Sequence, residues 1–305
     1  MTHKDVCFIA AKEKYDFSYD AIENYGFCQE IPYKDLNIFL RLIREVWFRL
    51  HLPYREIWFN KRIKLIRSRI IIIKDPLVCK ELLKYIRKRH EDKTIILMYV
   101  NRVKTSFPAN EAKGLVDELW SYDTEDCNEY GMRLMGDYYY EMYCSEEKHN
   151  NKPIYDVVYL GRDKGRASYL LELKNSFEEM GLKTLFRITP DRSYMRFKKR
   201  LYQPVIPYRE YVKMLEKSRA LLNVMPEGQN SITPRDLEVI FHSVKGITNN
   251  KGVKKRPYYH PDRYFVLGED EIEDLPAFLE RPFPTVDATE LSSMHFDNMV
   301  FNMFQ

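Results

Sequence analysis

The sequence predicts an α/β fold made of two halves of about 150 residues each. Apolar runs of strand length alternate with longer segments of helical apolar spacing, an order typical of a mostly parallel sheet covered by helices. A polar, apolar-poor stretch at residues 145–153 ends in a proline and is expected to link domain 1–150 to domain 151–305. With 305 residues, 45% of them hydrophobic, the chain can bury a core without disulfides or metals.

The first half is predicted to alternate strands with helices. The strands are expected at residues 6–10, 69–74, 94–100 and 118–122, and the helices at residues 36–50 and 76–89. Asp75, Asn101 and Asp123 each follow one of these strands. Because ligands of open α/β sheets lie beyond the carboxyl ends of strands, these residues stand where a site is expected.

The second half repeats the same rhythm. Strands are expected at residues 156–160, 183–188, 220–225, 246–248 and 264–267, and helices at residues 167–180, 208–217 and 234–242. The tail at residues 287–304 is expected to form one final helix.

Neither targeting nor cysteine chemistry marks the chain. The apolar runs are short, as at residues 70–73, and stay far below the ~20 residues needed to span a bilayer. The N-terminus lacks a signal-peptide layout. The five cysteines are scattered without a C-x-x-C pair, so we expect reduced, packed thiols rather than a zinc site or a disulfide framework. A cytoplasmic protein is therefore predicted.

Positive charge is concentrated in one part of the first half. Residues 41–104 hold eighteen Lys and Arg against six Asp and Glu, whereas the whole chain has a net charge of only +4. Aromatic and aliphatic residues are interleaved with these bases over residues 38–69. Three interpretations stay open: an ordinary solvated helix over a core stripe, a surface for anionic lipid, or a nucleic-acid surface, the last without any supporting motif.

The second half begins with a candidate anion site. The predicted strand at residues 156–160 runs into Gly161, and Arg162, Lys164 and Arg166 follow within five positions at the start of a helix. Exposed N–H groups, the helix dipole and three bases together favour a diphosphate. The alternative is an ordinary surface turn.

A second polar segment precedes the predicted helix at residues 234–242. Ser231 or Thr233 can cap this helix, and Pro234 suits its first position. Arg235 adds a cation, and Glu238, about one turn further, could accept two hydroxyls of a ribose or sugar. The alternative for Glu238 is an i,i+3 salt bridge with Arg235 on a solvated helix.

These segments resemble the donor half of GT-B glycosyltransferases, in particular bacterial enzymes of capsule and lipopolysaccharide synthesis. The likeness rests on residues 161–166, on residues 206–211, and on residues 229–238 followed by a strand ending in Thr248-Asn249-Asn250. In the first half, residues 98–101 and the Trp-Ser-Tyr-Asp-Thr-Glu-Asp stretch at 120–126 resemble the same enzymes. Ser231 and Gly246 depart from the usual pattern of the family.

The resemblance implies two Rossmann-like domains facing a cleft, with the C-terminal helix packing back on the first domain. It implies a nucleotide-diphosphate sugar on the second domain, a glycan or lipid-linked acceptor on the first, and no cofactor or metal. Arg162 and Lys164 would pair with the diphosphate, amides near Ser231 would hold its oxygens, and Glu238 would take the ribose. The expected donor-binding residues are Gly161, Arg162, Lys164, Arg166, Gln229, Asn230, Ser231, Thr233, Arg235 and Glu238.

The sequence leaves open which residue, if any, acts as the catalytic base. Fixed cations stabilise the charge that develops on a leaving diphosphate, and an inverting enzyme also needs a group that deprotonates the acceptor. Asp16 and Asp123 are the catalytic candidates, whereas a retaining enzyme would need neither. The predicted function is a glycosyltransferase of bacterial surface polysaccharide synthesis, peripheral on the inner membrane through residues 38–69. The alternatives are a GT-B-like sugar-nucleotide epimerase and a non-catalytic binding protein with the same fold.

Overall fold

The computed structural model describes residues 1–12, 17–144, 153–191, 201–225 and 233–305. It divides the chain into two compact units. Unit 1 contains residues 1–136 and 300–305, and unit 2 contains residues 137–299. Residues 145–152, the greater part of the predicted linker, lie outside the described ranges.

Unit 1 is built on a six-stranded, all-parallel sheet in the order β2-β1-β3-β4-β5-β6. Its strands are β1 (Val6–Ile9), β2 (Cys28–Glu30), β3 (Ile70–Lys74), β4 (Thr94–Tyr99), β5 (Glu118–Ser121) and β6 (Arg133–Leu134). The helices are α1 (Phe17–Asn24), α2 (Ile38–Arg49), α3 (Lys80–Arg87), α4 (Ala109–Ala112) and α5 (Thr124–Tyr130). Ile71, Ile72 and Ile73 of β3 are buried because this strand lies inside the sheet, between β1 and β4.

Unit 2 is built on a five-stranded parallel sheet in the order β11-β10-β9-β7-β8. Its strands are β7 (Tyr155–Arg162), β8 (Thr184–Thr189), β9 (Ser218–Asn223), β10 (Lys245–Thr248) and β11 (Tyr264–Val266). The helices are α6 (Ala167–Glu179), α7 (Tyr208–Leu215), α8 (Pro234–Phe241), α9 (Leu275–Glu280), α10 (Ala288–Ser293) and α11 (Phe296–Asn302), of which the last ends in unit 1. The α/β class that the alternating pattern predicted is therefore confirmed.

The C-terminal tail forms two helices, so the prediction of one helix over residues 287–304 is wrong. The break lies at His295, where Met294 O accepts from Tyr139 N at 2.8 Å and Phe296 N donates to Tyr139 O at 3.1 Å. These backbone groups pair with a neighbouring segment instead of continuing a helix. After α11 the last residues pack within unit 1, where the Phe304 ring lies 5.2 Å from that of Trp120.

Gly246, a departure from the pattern of the resembled enzymes, has a packing reason. The Tyr264 ring crosses over this residue, and a Cβ on Gly246 would lie 2.7 Å from Tyr264 Cδ1. The glycine thereby lets Tyr264 donate from its hydroxyl to Asp236 O at 2.7 Å and tie β11 to α8. Separately, within the described residues no helix is both long enough and apolar enough to cross a bilayer.

Candidate functional site

The sheet of unit 2 reverses its winding direction between β7 and β9. β8 lies on one side of β7, whereas β9, β10 and β11 follow on the other side. In open parallel sheets a crevice forms beyond the carboxyl ends of the two strands at such a point, because their loops leave in opposite directions. β7 ends at Arg162 and β9 at Asn223, the two strand ends whose following segments were predicted to bind an anion.

The turn from β7 into α6 is held by a buried carboxylate. Asp163 Oδ1 accepts from the Ala167 amide at 2.7 Å, and its Oδ2 accepts from the Tyr202 hydroxyl at 2.5 Å. Lys164 and Gly165 then adopt left-handed conformations, with φ of 47° and 77°. A left-handed conformation is unfavourable for lysine and has no steric cost for glycine. The hydrogen bonds of Asp163 stabilise this conformation of the turn.

Arg235, at the start of α8, lies directly on Gly161 of β7. Its guanidinium donates to Leu160 O at 2.8 Å and stands 5.6 Å from the centroid of the Tyr159 ring. A Cβ on Gly161 would overlap this guanidinium. The absence of a side chain at Gly161 therefore brings the cation of the second segment onto the strand end of the first.

Four cations gather at this strand end. Desolvation of its ammonium group by neighbouring atoms lowers the pKa of Lys164, and the positive charges of Arg166, Arg235 and Arg162 lower it further. Arg162 and Lys164 are exposed, whereas Arg166 and Arg235 are half-buried. Two carboxylates lie among these cations: that of Asp163, and that of Asp191, whose Oδ1 accepts from the Lys164 amide at 3.0 Å. Four cations against two acids leave this edge of unit 2 with a net positive charge, which favours an anion.

Arg166 uses much of its hydrogen-bonding capacity within the protein. Its guanidinium donates to Arg162 O at 2.9 Å, to Tyr159 Oη at 3.1 Å and to Val224 O, and its Nε donates to Asp163 O at 3.0 Å. Burial lowers its pKa. Arg166 thus ties the end of β7 to the end of β9 and contributes charge more than free donors.

The second predicted segment is described only from Thr233 onward. Gln229, Asn230 and Ser231 lie outside the described residues. Thr233 caps α8 as predicted by its position, but its N–H already donates to Asp236 Oδ2 at 2.8 Å. Asn223 at the end of β9 donates to Thr233 Oγ1 at 3.1 Å and to Asp236 Oδ1 at 2.9 Å, which fixes the start of α8 against the sheet.

The Glu238 carboxylate is buried, with 3% of the residue exposed. Its Oε1 accepts from the Tyr208 hydroxyl at 2.7 Å, and its Oε2 accepts from the Tyr211 hydroxyl. Burial, followed by the Glu238 charge, raises the pKa of both tyrosines well above the usual range. The face that carries Glu238 is therefore not solvated, and the acceptance of ribose hydroxyls by Glu238 stays a prediction.

Sequence reasoning missed Tyr208 and Tyr211. The segment that contains them was noted only for its resemblance, and no role was given to either side chain. Their i,i+3 spacing on α7 matches the i,i+3 spacing of Arg235 and Glu238 on α8. That match is a usable signal, because residues three apart share one face of a helix.

In unit 1 the polar strand ends interact with one another. Asp75 Oδ1 accepts from the Val100 amide at 2.7 Å, and its Oδ2 accepts from Asn101 at 3.2 Å and from Ser106 at 2.6 Å. Burial raises the pKa of the Asp75 carboxyl. Asp75 and Asn101 are therefore brought together beyond β3 and β4.

Of the two catalytic candidates, only Asp123 lies within the described residues. Asp16 lies outside the described residues. Asp123 caps α5, since its Oδ1 accepts from the amides of Glu125 and Asp126 at 3.1 Å each, and Arg102 Nε lies 3.5 Å from its Oδ2. A catalytic role for either residue stays a prediction. Among the described residues, no group of three or more Cys, His, Asp or Glu side chains is arranged to hold a metal.

Comparisons with known proteins give structural likeness only. No family model and no curated protein matches the chain. Among solved structures, AviGT4, a glycosyltransferase involved in avilamycin A biosynthesis, matches with a TM-score of 0.55 at 10% identity, over 98% of this chain and 95% of that chain. The apo form of WaaB, a lipopolysaccharide outer core galactosyltransferase, matches with a TM-score of 0.44 at 14% identity, over 98% and 99%. A Listeria monocytogenes protein assigned as a UDP-N-acetylglucosamine 2-epimerase matches with a TM-score of 0.45 at 10% identity, over 94% and 93%.

The match to AviGT4 spans both units, and each unit is a parallel sheet with covering helices. The protein has the GT-B fold. The two Rossmann-like domains that the sequence predicted are confirmed at the level of fold. At this identity the GT-B fold does not by itself specify the donor, the acceptor or the reaction.

Proposed function

We propose that this protein is a glycosyltransferase that transfers a sugar from a nucleotide-diphosphate donor. The donor is bound by unit 2, beyond the carboxyl ends of β7 and β9, and the acceptor by unit 1. The acceptor is a glycan or a lipid-linked glycan of bacterial surface polysaccharide, such as capsule or lipopolysaccharide. The reaction uses no cofactor and no metal.

The observation that carries this proposal is the gathering of Arg162, Lys164 and Arg235 at the switch point of the unit 2 sheet. Fixed guanidinium groups suit a diphosphate, because their planar donors bind phosphate oxygens in pairs. Arg162 and Lys164 are exposed and accessible to a ligand. Arg235 is held over Gly161, with one of its five N–H donors engaged by Leu160.

The proposed chemistry follows from charge development. When the bond between the sugar and the diphosphate breaks, negative charge grows on the leaving group. Cations already in place stabilise that charge without reorganisation and lower the barrier. In an inverting reaction, Asp16 or Asp123 would take the proton of the acceptor hydroxyl, whereas a retaining reaction would leave both as positioning groups.

The first test is donor binding. In a thermal-shift screen against UDP, GDP, CMP and dTDP compounds, we expect one nucleotide class to raise the melting temperature of the protein. The reason is that a ligand that binds only the folded state stabilises it. The double variant Arg162→Ala, Lys164→Ala should lose most of that shift. Lys174→Ala is the matched control, because Lys174 is a surface cation of α6 paired with Glu178 in the same unit.

Two outcomes would contradict the proposal. Equal binding by the double variant and by Lys174→Ala would reject the site, and no stabilisation by any nucleotide would favour a non-catalytic protein. An epimerised sugar nucleotide that forms in the absence of acceptor would favour the epimerase alternative over transfer.

We also propose that α2 binds an anionic membrane surface. Ile43, Trp47 and Phe48 pack toward the core of unit 1, yet the helix has a second apolar stripe that faces outward. This stripe, which we name the α2 stripe, consists of Ile38, Phe39, Leu42, Val46 and the following Leu50, each between 55% and 79% exposed. Contiguous exposed apolar side chains of this kind mark an interaction surface.

Charge favours an anionic lipid as the occupant of the α2 stripe. Exposed bases follow α2 in the same unit, namely Lys61, Arg62, Lys64, Arg67 and Arg69. Two of them also form ion pairs within unit 1, Arg62 with Glu30 and Arg69 with Asp5. Aliphatic and aromatic side chains beside Lys and Arg are the composition of an interfacial helix on anionic headgroups. Peripheral membrane attachment would bring the enzyme to a lipid-linked acceptor.

Vesicle sedimentation tests the membrane proposal. The protein should sediment with phosphatidylglycerol-containing vesicles at low salt and much less with pure phosphatidylcholine or at high salt, because the attraction is partly electrostatic. Phe39→Asp with Leu42→Asp should abolish sedimentation. Tyr169→Asp with Val205→Asp, which places the same two charges on exposed hydrophobic residues of unit 2, should not. Unchanged sedimentation of the α2 variant would refute the proposal.

A further inference from the structure

Asp191 is an acid at the strand end that carries the four cations of the site. β7 and β8 pair in parallel up to Arg162 and Thr189, and the Asp163 amide continues this ladder by donating to Thr189 O at 2.9 Å. Two residues beyond Thr189, the Asp191 side chain reaches back to β7, and its Oδ1 accepts from the Lys164 amide at 3.0 Å. A side-chain carboxylate thus binds the backbone N–H group at which the strand ladder ends.

The two acids of this strand end are bound to the protein to different degrees. Asp163 is buried, and its two oxygens accept from the Ala167 amide and from the Tyr202 hydroxyl. Asp191 is exposed, and among the described residues its carboxylate accepts a hydrogen bond from the Lys164 amide alone. Displacing Asp163 would disrupt the turn into α6, whereas displacing Asp191 breaks one hydrogen bond at the surface.

Asp191 also compensates part of the positive charge at this strand end. Desolvation and three neighbouring arginines lower the pKa of Lys164, and the negative charge of Asp191 opposes this fall. The pKa of Arg166 is lowered mainly by desolvation, and the charge of Asp191 opposes that fall as well. One exposed carboxylate therefore interacts both with the cations of the site and with a backbone amide of the turn.

These are the interactions that a phosphate group makes in such a place. Phosphate oxygens bind backbone N–H groups at strand-to-helix turns and pair with nearby Lys and Arg side chains. A phosphate group and the Asp191 carboxylate would thus need the same N–H group, that of Lys164. A diphosphate carries more charge and more acceptor oxygens than one carboxylate, so it is the stronger of the two competitors.

We propose that Asp191 is an internal competitor of the diphosphate, which binds the Lys164 amide until a phosphate group of the sugar donor displaces its carboxylate. This inference rests on the proposed function, because it takes the diphosphate as the ligand of the site. Asp191 lowers the affinity for the diphosphate when the sugar donor binds. It lowers the affinity again after transfer, which speeds the release of the nucleoside diphosphate.

Asp191→Asn separates this role from a structural one. Asparagine keeps a side-chain oxygen that can accept from the Lys164 amide, but it carries no charge. By titration calorimetry, Asp191→Asn should bind inorganic pyrophosphate about three- to tenfold more tightly than the wild type, because a neutral hydrogen bond is easier to displace than a charge-assisted one. If Asp191 only stabilised the turn, Asp191→Asn would bind as the wild type does and Asp191→Ala would bind more weakly.

Asp156→Asn is the matched control. Asp156 lies at the opposite end of β7, where its Oδ2 accepts from the Lys183 amide at 2.8 Å and its Oδ1 pairs with Arg219. This variant removes the same charge from the same sheet, but ~20 Å from the cations, given six residues of strand at ~3.3 Å each. Salt at about 0.15 M screens a charge at that distance, so the affinity of Asp156→Asn for pyrophosphate should equal that of the wild type.

Hydrogen exchange of the Lys164 amide with water, measured by NMR, follows the N–H group for which the two anions compete. In Asp191→Ala this amide should exchange faster than in the wild type, because it has lost its hydrogen-bond acceptor. Pyrophosphate should slow the exchange again in that variant, since a phosphate oxygen then binds the amide. An amide that still exchanges fast when pyrophosphate is bound would overturn the competition.

The outcomes distinguish this inference from the proposed function. If the wild type binds pyrophosphate at least as tightly as Asp191→Asn, the role of Asp191 is overturned and the proposed function stands. An equal gain of affinity in Asp156→Asn also overturns it, since the gain would then come from net charge alone. If neither the wild type nor Asp191→Asn binds pyrophosphate or any nucleotide, the proposed function is overturned, and this inference with it. Because Asp191 is exposed, Asp191→Asn should fold as the wild type does.

Discussion

Gly161→Ala is the substitution that tests most directly whether the two segments of the site meet. Gly161 is in strand β7 and does not have a positive φ, so alanine fits its backbone and by itself would stabilise the fold by ~0.5–1 kcal/mol. The added Cβ, however, would overlap the Arg235 guanidinium. The guanidinium is the end of a flexible side chain and moves aside, so the main cost is the loss of its hydrogen bond to Leu160 O, ~1.5–3 kcal/mol for a charged donor. We expect a net loss of ~1–2 kcal/mol in the free energy of unfolding from these two terms.

A double-variant cycle isolates that overlap. In Arg235→Ala the space above Gly161 is empty, so Gly161→Ala should there become neutral or slightly stabilising. The assay is urea unfolding of the wild type, both single variants and the double variant, followed by circular dichroism. Equal destabilisation by Gly161→Ala in both backgrounds would refute the contact between the two segments.

Three further predictions concern stability. Burial lowers the pKa of Lys245 to about 8 from 10.5, so the unfolded chain binds more protons between these values, and stability rises with pH. From pH 7 to pH 9.5 the free energy of unfolding should rise by about 2 kcal/mol more in the wild type than in Lys245→Met; parallel pH profiles would contradict this. Asp123→Ala removes the cap of α5 and should cost ~1 kcal/mol in urea unfolding, whereas Asp123→Ser should keep most of it. Phe304→Ala removes a ring packed on Trp120 and should cost ~1–2 kcal/mol in the same assay, with Phe304→Leu closer to the wild type.

Pattern reasoning succeeded where burial is continuous. The isoleucines of β3 and the apolar run of β4 were predicted as strands, because a parallel strand covered on both faces is apolar at every position. Edge strand β2 has only three residues, all half-buried, which is too few to show the alternation of a strand. Helix α1 was not predicted either.

The cations of the site were also readable. Arg162, Lys164 and Arg166 lie in one turn, so their proximity is local and follows from the chain itself. The sequence did not predict that Arg166 donates to backbone carbonyls. Val224 is distant from Arg166 in sequence, and the pairing of β7 with β9 brings the two residues together. Asp123 was predicted at a strand end, and the capping role that it takes there follows from the start of α5.

The sequence by itself determined the α/β class and the two positively charged or polar segments, since both depend on residues close together along the chain. Only the tertiary structure decided which of their side chains meet: Arg235 over Gly161, and Glu238 between two tyrosines of another helix. The physical reason is that such contacts depend on the order of strands in the sheet and on the space left by a missing Cβ. Local periodicity encodes neither the strand order nor this space, and both are set only when the chain folds.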